Sequence, residues 1–383
     1  MSSIVAQHFQ TREAVRIGIR HSVIESVVQI DMPPAEANQL PIVAPGLFDL
    51  QVNGFNGIWF SSEQLTVDDV ERVIDSYLQH GITRCLPTLI TNSTEAIEHG
   101  LATLRAAREK SDVVRRVVSG YHIEGPFISP VDGPRGAHPL QHVRSASISE
   151  FQRWQQVAGG LVKLVTLAPE VPGAMEFIRA VSRSTLVAIG HTAATADQIR
   201  SAIDAGARLG THLGNGCSGM VPRHDNIFWP QLADDRLSCS VIADGWHVPS
   251  SMLNCVLRCK LIDRLILTCD VSGFGGCRPG RYSNGDVGVD VLSDGRIVVA
   301  GQTQFLAGSG ATTGDCVTHL INACGVSLAD AWQCASGRPA KLVGVPVTQL
   351  TEGSLAHLTL FRLNTDPDGR LHYIPVQAIA GQL

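Results

Sequence analysis

The segment LVAIGHT at positions 186–192 decides the fold, because four apolar residues run without interruption and lead through a glycine to His191. Three further segments share this design: YHIEGPF contains Glu124, GTHLGN contains His212 and LILTCD ends at Asp270. Buried parallel strands are continuous apolar runs, and the C-terminal ends of barrel strands surround the mouth where chemistry occurs. We therefore predict an α/β protein, a TIM-like (β/α)8 barrel whose mouth gathers two carboxylates and two imidazoles.

Composition limits the kinds of molecule that the protein is expected to bind. The chain has 383 residues, of which 44% are hydrophobic and 17% charged, so it can bury a large core and hold an accessory domain. The net charge of -5 argues against nucleic acid, which requires a clustered basic face. No stretch has the apolar length needed to cross a bilayer, and the first residues lack the pattern of a secretion signal. The expected protein is cytoplasmic, has no membrane partner and acts on a small molecule.

Both ends of the chain carry strand patterns. Alternating apolar and polar residues at 14–20 and 23–28 indicate strands, as do the segments at 355–361 and 371–375 around an Asp-Pro-Asp-Gly turn. The two ends are therefore predicted to build one small β-sandwich domain beside the barrel. The predicted limits are residues 1–44 and 348–383 for the small domain and residues 45–347 for the barrel.

The middle of the chain alternates apolar strands with helical patterns. Segments 67–78 and 195–205 have helical periodicity and are followed by Gly81 and Gly206, as expected for βα units. A further segment, 287–299, has Asp-Gly near its centre and predicts a hairpin inserted after the last catalytic strand.

The ten cysteines are scattered and contain no Cys-x-x-Cys pair. Free cysteines in apolar segments behave as small hydrophobic residues, so disulfides are not expected. Cys255 and Cys259 lie one helical turn apart, and we interpret them as packing residues.

Three of the strand-end residues match the needs of a catalytic metal. Such sites usually take three protein ligands and leave one position for water, and Glu124, His191 and His212 supply that number. Asp270 can then accept a proton from the attacking water and return it to a leaving amine. Zinc suits this donor set, as do iron(II), cobalt and manganese.

These four segments, with PGLFDLQVNG at 45–54 and LPTLIT at 86–91, resemble the N-acetylglucosamine-6-phosphate deacetylase family of the amidohydrolase superfamily, in the same order over nearly the whole chain. The resemblance implies hydrolysis of N-acetylglucosamine 6-phosphate to glucosamine 6-phosphate and acetate. Dinuclear amidohydrolases begin their barrel with His-x-His, where this chain has Gln51 and Asn53. Amide side chains are poor ligands for transition metals, so one divalent ion per chain is expected.

The resemblance also assigns residues to the substrate. His138, in RGAHP, is implied to bind and polarise the substrate carbonyl. Asn215 and Gly216, with Arg223 and His247, occupy the places that bind the sugar phosphate. In the family the arginine reaches the site from a neighbouring subunit, which implies a homodimer.

Departures from the family lie near the substrate. Phe274 and Arg278 are bulkier than the residues that the loop after the catalytic aspartate normally carries. Around the third ligand, Gly214 and the pair Gly216-Cys217 replace an aromatic residue and an Ala-Met pair of the family. Two alternatives therefore remain. One is an amidohydrolase acting on another N-acetyl amino sugar or an N-acyl amino acid. The other is an inactive barrel that binds an amino-sugar phosphate, which the retained Asp270 disfavours.

Overall fold

A computed structural model of the chain describes residues 2–284 and 287–381. Its centre is an eight-stranded sheet in which every pairing is parallel and each strand lies beside its neighbour in sequence. A parallel bridge between Val52 and Val271 joins the first strand to the chain after the last, so the sheet is a nearly closed barrel, as predicted. The barrel strands are β5 (Leu47–Val52), β8 (Ile82–Ile90), β9 (Tyr121–Glu124), β10 (Val162–Leu167), β11 (Leu186–Ile189), β12 (Leu209–Gly210), β13 (Ser238–Ile242) and β14 (Leu265–Thr268).

Helices connect the barrel strands and cover the outside of the barrel. Thr66 and Thr195 each form a capping box, which fixes the start of the two helices predicted from sequence. The helices are α1 (Pro34–Ala37), α2 (Val67–Gln79), α3 (Thr94–Lys110), α4 (Asp112–Val117), α5 (Ile148–Val157), α6 (Ala174–Val181), α7 (Ala196–Ala205), α8 (Phe228–Ala233), α9 (Ser250–Arg264), α10 (Thr313–Cys324), α11 (Leu328–Cys334) and α12 (Gly337–Leu342), with a 3-10 turn at Leu140–His142.

Strands from both ends of the chain form a second sheet, as predicted. They are β1 (Ser2–His8), β2 (Ala14–Arg20), β3 (Val23–Gln29), β4 (Ile42–Pro45), β19 (His357–Thr365) and β20 (Leu371–Ala380). They are hydrogen-bonded in the order β20-β19-β4-β1-β2-β3, in which β4 pairs in parallel with β1 and antiparallel with β19 and so joins the two ends. The domain limits stay a prediction, and Met1 and residues 382–383 lie outside the described chain.

A four-stranded antiparallel sheet is inserted after β14. It comprises β15 (Gly280–Asn284), β16 (Val287–Val291), β17 (Ile297–Val299) and β18 (Gln302–Leu306), and a smaller hairpin pairs β6 (Gly54–Phe55) with β7 (Ile58–Trp59). The pairing of β16 with β17 confirms the predicted hairpin. We name this four-stranded sheet the inserted sheet.

All ten cysteines are free, as expected. The interpretation of Cys255 and Cys259 as packing residues is wrong, since both are exposed on α9. Within residues 2–284 and 287–381, no helix has both the length and the apolar character that crossing a membrane requires.

Candidate active site

Four barrel strands deliver the residues predicted to carry the chemistry. Glu124 is the last residue of β9, and His191, His212 and Asp270 each lie two residues beyond β11, β12 and β14. The last three share a left-handed backbone, with φ of 48°, 28° and 48°. This conformation is costly for residues other than glycine and concentrates at functional sites. All four side chains line one cavity of about 430 Å³.

Glu124 is the centre of the cluster and is only 3% exposed. Its Oε1 atom lies 2.7 Å from Gln51 Nε2, 2.8 Å from His212 Nε2 and 3.3 Å from His191 Nε2. Its Oε2 atom lies 3.8 Å from Nε2 of His138. Burial opposes the charge, but the contacts with His191 and His212 hold the pKa of the carboxyl well below its usual range. Glu124 is therefore an anion surrounded by imidazoles.

The donor set fits a divalent metal ion. Glu124, His138 and His191 offer ligand atoms that all lie within 4.8 Å of one another, and His212 contacts the same carboxylate. Nδ1 of His191 donates to the Pro134 carbonyl at 3.0 Å, so Nε2 is the nitrogen that can be deprotonated to bind a metal ion beside Glu124. This is the tautomer that a metal-binding histidine needs.

His138 differs from His191 in the partner of its other ring nitrogen. Its Nδ1 lies 2.8 Å from Oγ1 of Thr91, which is also buried. The Thr91 hydroxyl also lies 3.5 Å from the Glu124 carbonyl, to which it can donate. Where Thr91 donates to Nδ1 of His138, Nε2 carries the ring proton; where Nδ1 donates to Thr91, Nε2 has the lone pair. Burial lowers the pKa of His138 to about 3, so the ring is neutral.

Asp270 is held by an amide. Nδ2 of Asn53 donates to Oδ1 of Asp270 at 2.8 Å. Desolvation, together with the negative charge of Glu124, raises the pKa of Asp270 to about 6. A carboxyl with a pKa near neutrality can both take and return a proton. In the sequence, Gln51 and Asn53 were noted only as amides in the place of metal ligands. In the structure each donates a hydrogen bond to a carboxylate of the cluster.

Asp49 is a residue that the sequence did not single out. It is fully buried and accepts hydrogen bonds from the backbone N–H groups of Gln51 and Cys269 and from the hydroxyls of Thr268 and Thr313. Its carboxylate therefore joins β5, β14 and α10 and binds the backbone of the residue before Asp270. In the sequence, Asp49 could have been noticed as a charged residue inside the mostly apolar strand segment LFDLQV.

The predicted phosphate residues are only partly brought together. Asn215, Gly216 and His247 line the cavity, and Nδ1 of His247 is 2.7 Å from Asp244 Oδ2. Arg223 is exposed and is not part of the cavity lining of its own chain.

Phe274 and Arg278 do not form the pocket wall that the sequence indicated. Phe274 packs in an apolar cluster with the inserted sheet, and Arg278 is exposed. Trp59, which meets Phe274 edge to face at 5.5 Å, lines the cavity instead. His122 lies within the barrel, where its Nε2 is 2.8 Å from Thr166 Oγ1, and burial lowers its pKa to about 4.

The chain is similar to known proteins along most of its length. A family model described as the amidohydrolase family matches residues 42–381. N-acetylglucosamine-6-phosphate deacetylase of Bos taurus is 35% identical over 79% of this chain and 75% of that protein. N-acetylgalactosamine-6-phosphate deacetylase of Escherichia coli O157:H7 is 30% identical over 86% of this chain and 85% of that protein.

A solved structure agrees with these relatives. The crystal structure of N-acetyl-D-glucosamine-6-phosphate deacetylase from Mycobacterium smegmatis superposes with a TM-score of 0.85 at 28% identity, covering 100% of this chain and 99% of that one. A mutant of that enzyme, solved in complex with N-acetyl-D-glucosamine-6-phosphate, gives a TM-score of 0.84.

Proposed function

The chain belongs to the amidohydrolase family, and we propose that it hydrolyses the N-acetyl group of N-acetylglucosamine 6-phosphate to give glucosamine 6-phosphate and acetate. The observation that carries the proposal is the meeting of Glu124, His191, His212 and Asp270 in one cavity. The bovine relative and the M. smegmatis enzyme, both named for this reaction, support it.

One zinc ion per chain, held by Glu124, His191 and His212, is the proposed cofactor. His138 also borders the cluster, and we propose that Thr91 donates to its Nδ1, which leaves the proton on Nε2 and makes that nitrogen a hydrogen-bond donor instead of a ligand. When bound, the ion supplies Lewis acidity and lowers the pKa of a coordinated water. Gln51 and Asn53, where dinuclear relatives carry histidines, do not favour a second ion.

Asp270 is the proposed general base and acid. Its raised pKa keeps its affinity for a proton high enough to accept one from the attacking water, and Asn53 fixes one carboxylate oxygen so that the other is free to do so. The protonated Asp270 then donates to the nitrogen of the departing amine. This transfer is required because an amide nitrogen leaves as a neutral amine.

His138 is proposed to donate a hydrogen bond from its Nε2–H group to the substrate carbonyl oxygen. A neutral imidazole does so without a competing positive charge beside the metal ligands, and its low pKa keeps it neutral across the physiological range. Thr91 fixes the tautomer that makes this donation possible.

The sugar phosphate is proposed to bind at Asn215, Gly216 and His247, remote from the scissile amide. Because Arg223 is exposed outside its own cavity, we propose that it completes the phosphate site of a neighbouring subunit in a cytoplasmic homodimer. Its planar guanidinium suits bidentate contact with a phosphate.

N-acetylgalactosamine 6-phosphate is a second candidate substrate, because the E. coli relative that covers more of this chain is named for it. Acetate release from metal-loaded protein should be measured for both phosphorylated sugars, for unphosphorylated N-acetylglucosamine and for an N-acetyl amino acid. The highest kcat/KM is expected for N-acetylglucosamine 6-phosphate. Tight binding of the sugar phosphates without release of acetate would instead indicate a binding protein.

A further inference from the structure

We propose that a second cavity beside the metal cluster receives the N-acyl chain of the substrate, so that the enzyme hydrolyses amino-sugar phosphates with acyl groups longer than acetyl. This inference rests on the proposed function and extends it to a class of substrates. We name the second cavity the annex.

The annex adjoins the catalytic cavity. It has a volume of about 670 Å³ and lies between the loop that carries His138 and the inserted sheet. The two cavities share six lining residues: Trp59, Ile90, Gly136, Ala137, His138 and Ala307. A group bound in the catalytic cavity against these residues is therefore adjacent to the annex.

The chemistry of the amide places the acyl chain on the annex side. The carbonyl carbon bears an oxygen, a nitrogen and the acyl chain. In the proposed reaction the oxygen contacts His138 and the nitrogen faces Asp270, with the sugar extending toward Asn215 and His247. Of these residues only His138 lines the annex, so neither the nitrogen nor the sugar is directed toward it, and we assign it to the acyl chain.

The lining of the annex suits an alkyl chain. Leu140, Val289 and Val299 contribute apolar surface beyond the shared wall. Among the described residues of the lining the one guanidinium, of Arg135, already donates to the His138 carbonyl at 2.8 Å and forms an ion pair with Asp132. A hydrocarbon chain can therefore be buried without leaving that charge unpaired.

The test compares N-acetyl, N-propionyl and N-butyryl glucosamine 6-phosphate. A pocket that fits only the acetyl group would lower kcat/KM by roughly 10–200-fold for a substrate with one more methylene group. With the annex available, kcat/KM is expected to stay within about tenfold across the series. Val299→Trp fills the annex and should lower the ratio of kcat/KM for N-butyryl over N-acetyl by at least about tenfold. Val28→Trp, at an exposed valine of β3, should leave the ratio unchanged.

Several outcomes separate this inference from the proposed function. Cleavage of the N-acetyl sugar with rejection of the N-propionyl sugar overturns the annex and leaves the proposed function standing, whereas no cleavage of any member overturns both. If Val299→Trp does not fold, Leu140→Trp, at a half-exposed position of the lining, is the second variant. If filling the annex impairs the methyl glycoside of N-acetylglucosamine 6-phosphate and spares the N-butyryl sugar, the annex binds the anomeric side and the inference is wrong.

Discussion

Asp270 and Glu124 are two carboxyls in one cavity with opposite pKa shifts. Contacts with His191 and His212 lower the pKa of Glu124, whereas Asp270 accepts a hydrogen bond from the Asn53 amide and its pKa is raised by burial. Environments that push two pKa values apart are the usual sign of distinct roles in acid–base chemistry. The first carboxyl remains an anion, and the second exchanges protons.

Asp270→Asn should retain the metal and lose most turnover. An asparagine can still accept the bond from Asn53 but has no basic oxygen, so kcat is expected to fall by about 10²- to 10⁴-fold or more. Metal content and kcat are measured on the same preparation, with Asp75→Asn, an exposed residue of α2, as the control. Near-normal kcat would rule out Asp270 as the base.

Replacing each histidine should distinguish the metal ligands from the residue that donates a hydrogen bond to the substrate carbonyl. His191→Ala and His212→Ala should each lose most of the bound ion, because two ligands and one water hold it weakly. His138→Ala should retain the ion and lower kcat by about 10²- to 10³-fold, as for a lost oxyanion donor. Loss of the ion from the His138 variant would show instead that this residue is a ligand.

The metal content of active protein should be about one ion per chain. Gln51 Nε2 donates to Glu124 at 2.7 Å, so the position beside that carboxylate is taken by an amide donor that repels a cation. Elemental analysis of fully active enzyme after removal of free metal tests this expectation. A value near two would overturn it.

The strand-end chemistry could be predicted from the sequence because each apolar run fixes where the strand ends. Glu124, His191, His212 and Asp270 share one cavity for that reason. Thr91 was not predicted, because its role depends on a 2.8 Å contact with His138 across 47 residues, and threonine is common in strands. The wall expected from Phe274 is formed by Trp59 because the inserted sheet buries Phe274.

At the scale of elements, Asp49 closes the barrel between its first and last strands. Its two carboxylate oxygens accept four hydrogen bonds, from β5, β14, the residue after β14 and α10. One of these donors is the backbone N–H of Cys269, the residue before Asp270. The fixed position of Asp270, the proposed base, therefore depends on these four hydrogen bonds.

Asp49→Asn should weaken both stability and catalysis. The amide offers one acceptor oxygen and points an N–H group at existing donors, so buried partners are left unsatisfied. The free energy of unfolding is expected to fall by about 2 to 4 kcal/mol, measured by denaturant titration. The kcat should fall as well, with little change in KM, because Asp270 is displaced. A variant as stable as the parent would contradict this structural role of the Asp49 hydrogen bonds.

Local patterns predicted the elements better than their pairing. The helices at 67–79 and 196–205 follow from apolar periodicity and threonine caps. The parallel pairing of β4 with β1 joins strands separated by three elements, and alternation within a strand does not identify its partner. The sequence therefore indicated that strands from both ends join one small domain, but not the order in which they pair.

For the whole molecule, the exposed position of Arg223 predicts a site shared between subunits. Arg223→Ala should lower kcat/KM for the phosphorylated sugar by about tenfold to hundredfold, as for the loss of a charge-assisted contact, and barely change hydrolysis of the unphosphorylated sugar. Equal losses on both substrates would contradict a phosphate role.

Mixed dimers test the sharing directly. In a dimer of an Arg223→Ala subunit with an Asp270→Asn subunit, one active site has both an intact base and the partner's arginine. Mixing the two variants under conditions of subunit exchange should therefore raise kcat/KM for the phosphorylated sugar above the value of either variant alone. No recovery despite proven exchange would place the arginine in its own subunit.

The position of β4 between β1 and β19 has a consequence for biosynthesis. During translation β4 is available from the first 45 residues, but its antiparallel neighbour begins at His357, after the whole barrel has been made. The buried edge of Ile42 and Val43 therefore stays open until the last strands leave the ribosome. Such long-range pairing is slow and exposes the nascent chain to aggregation, so chains truncated before β19 are expected to be captured by chaperones or precipitate.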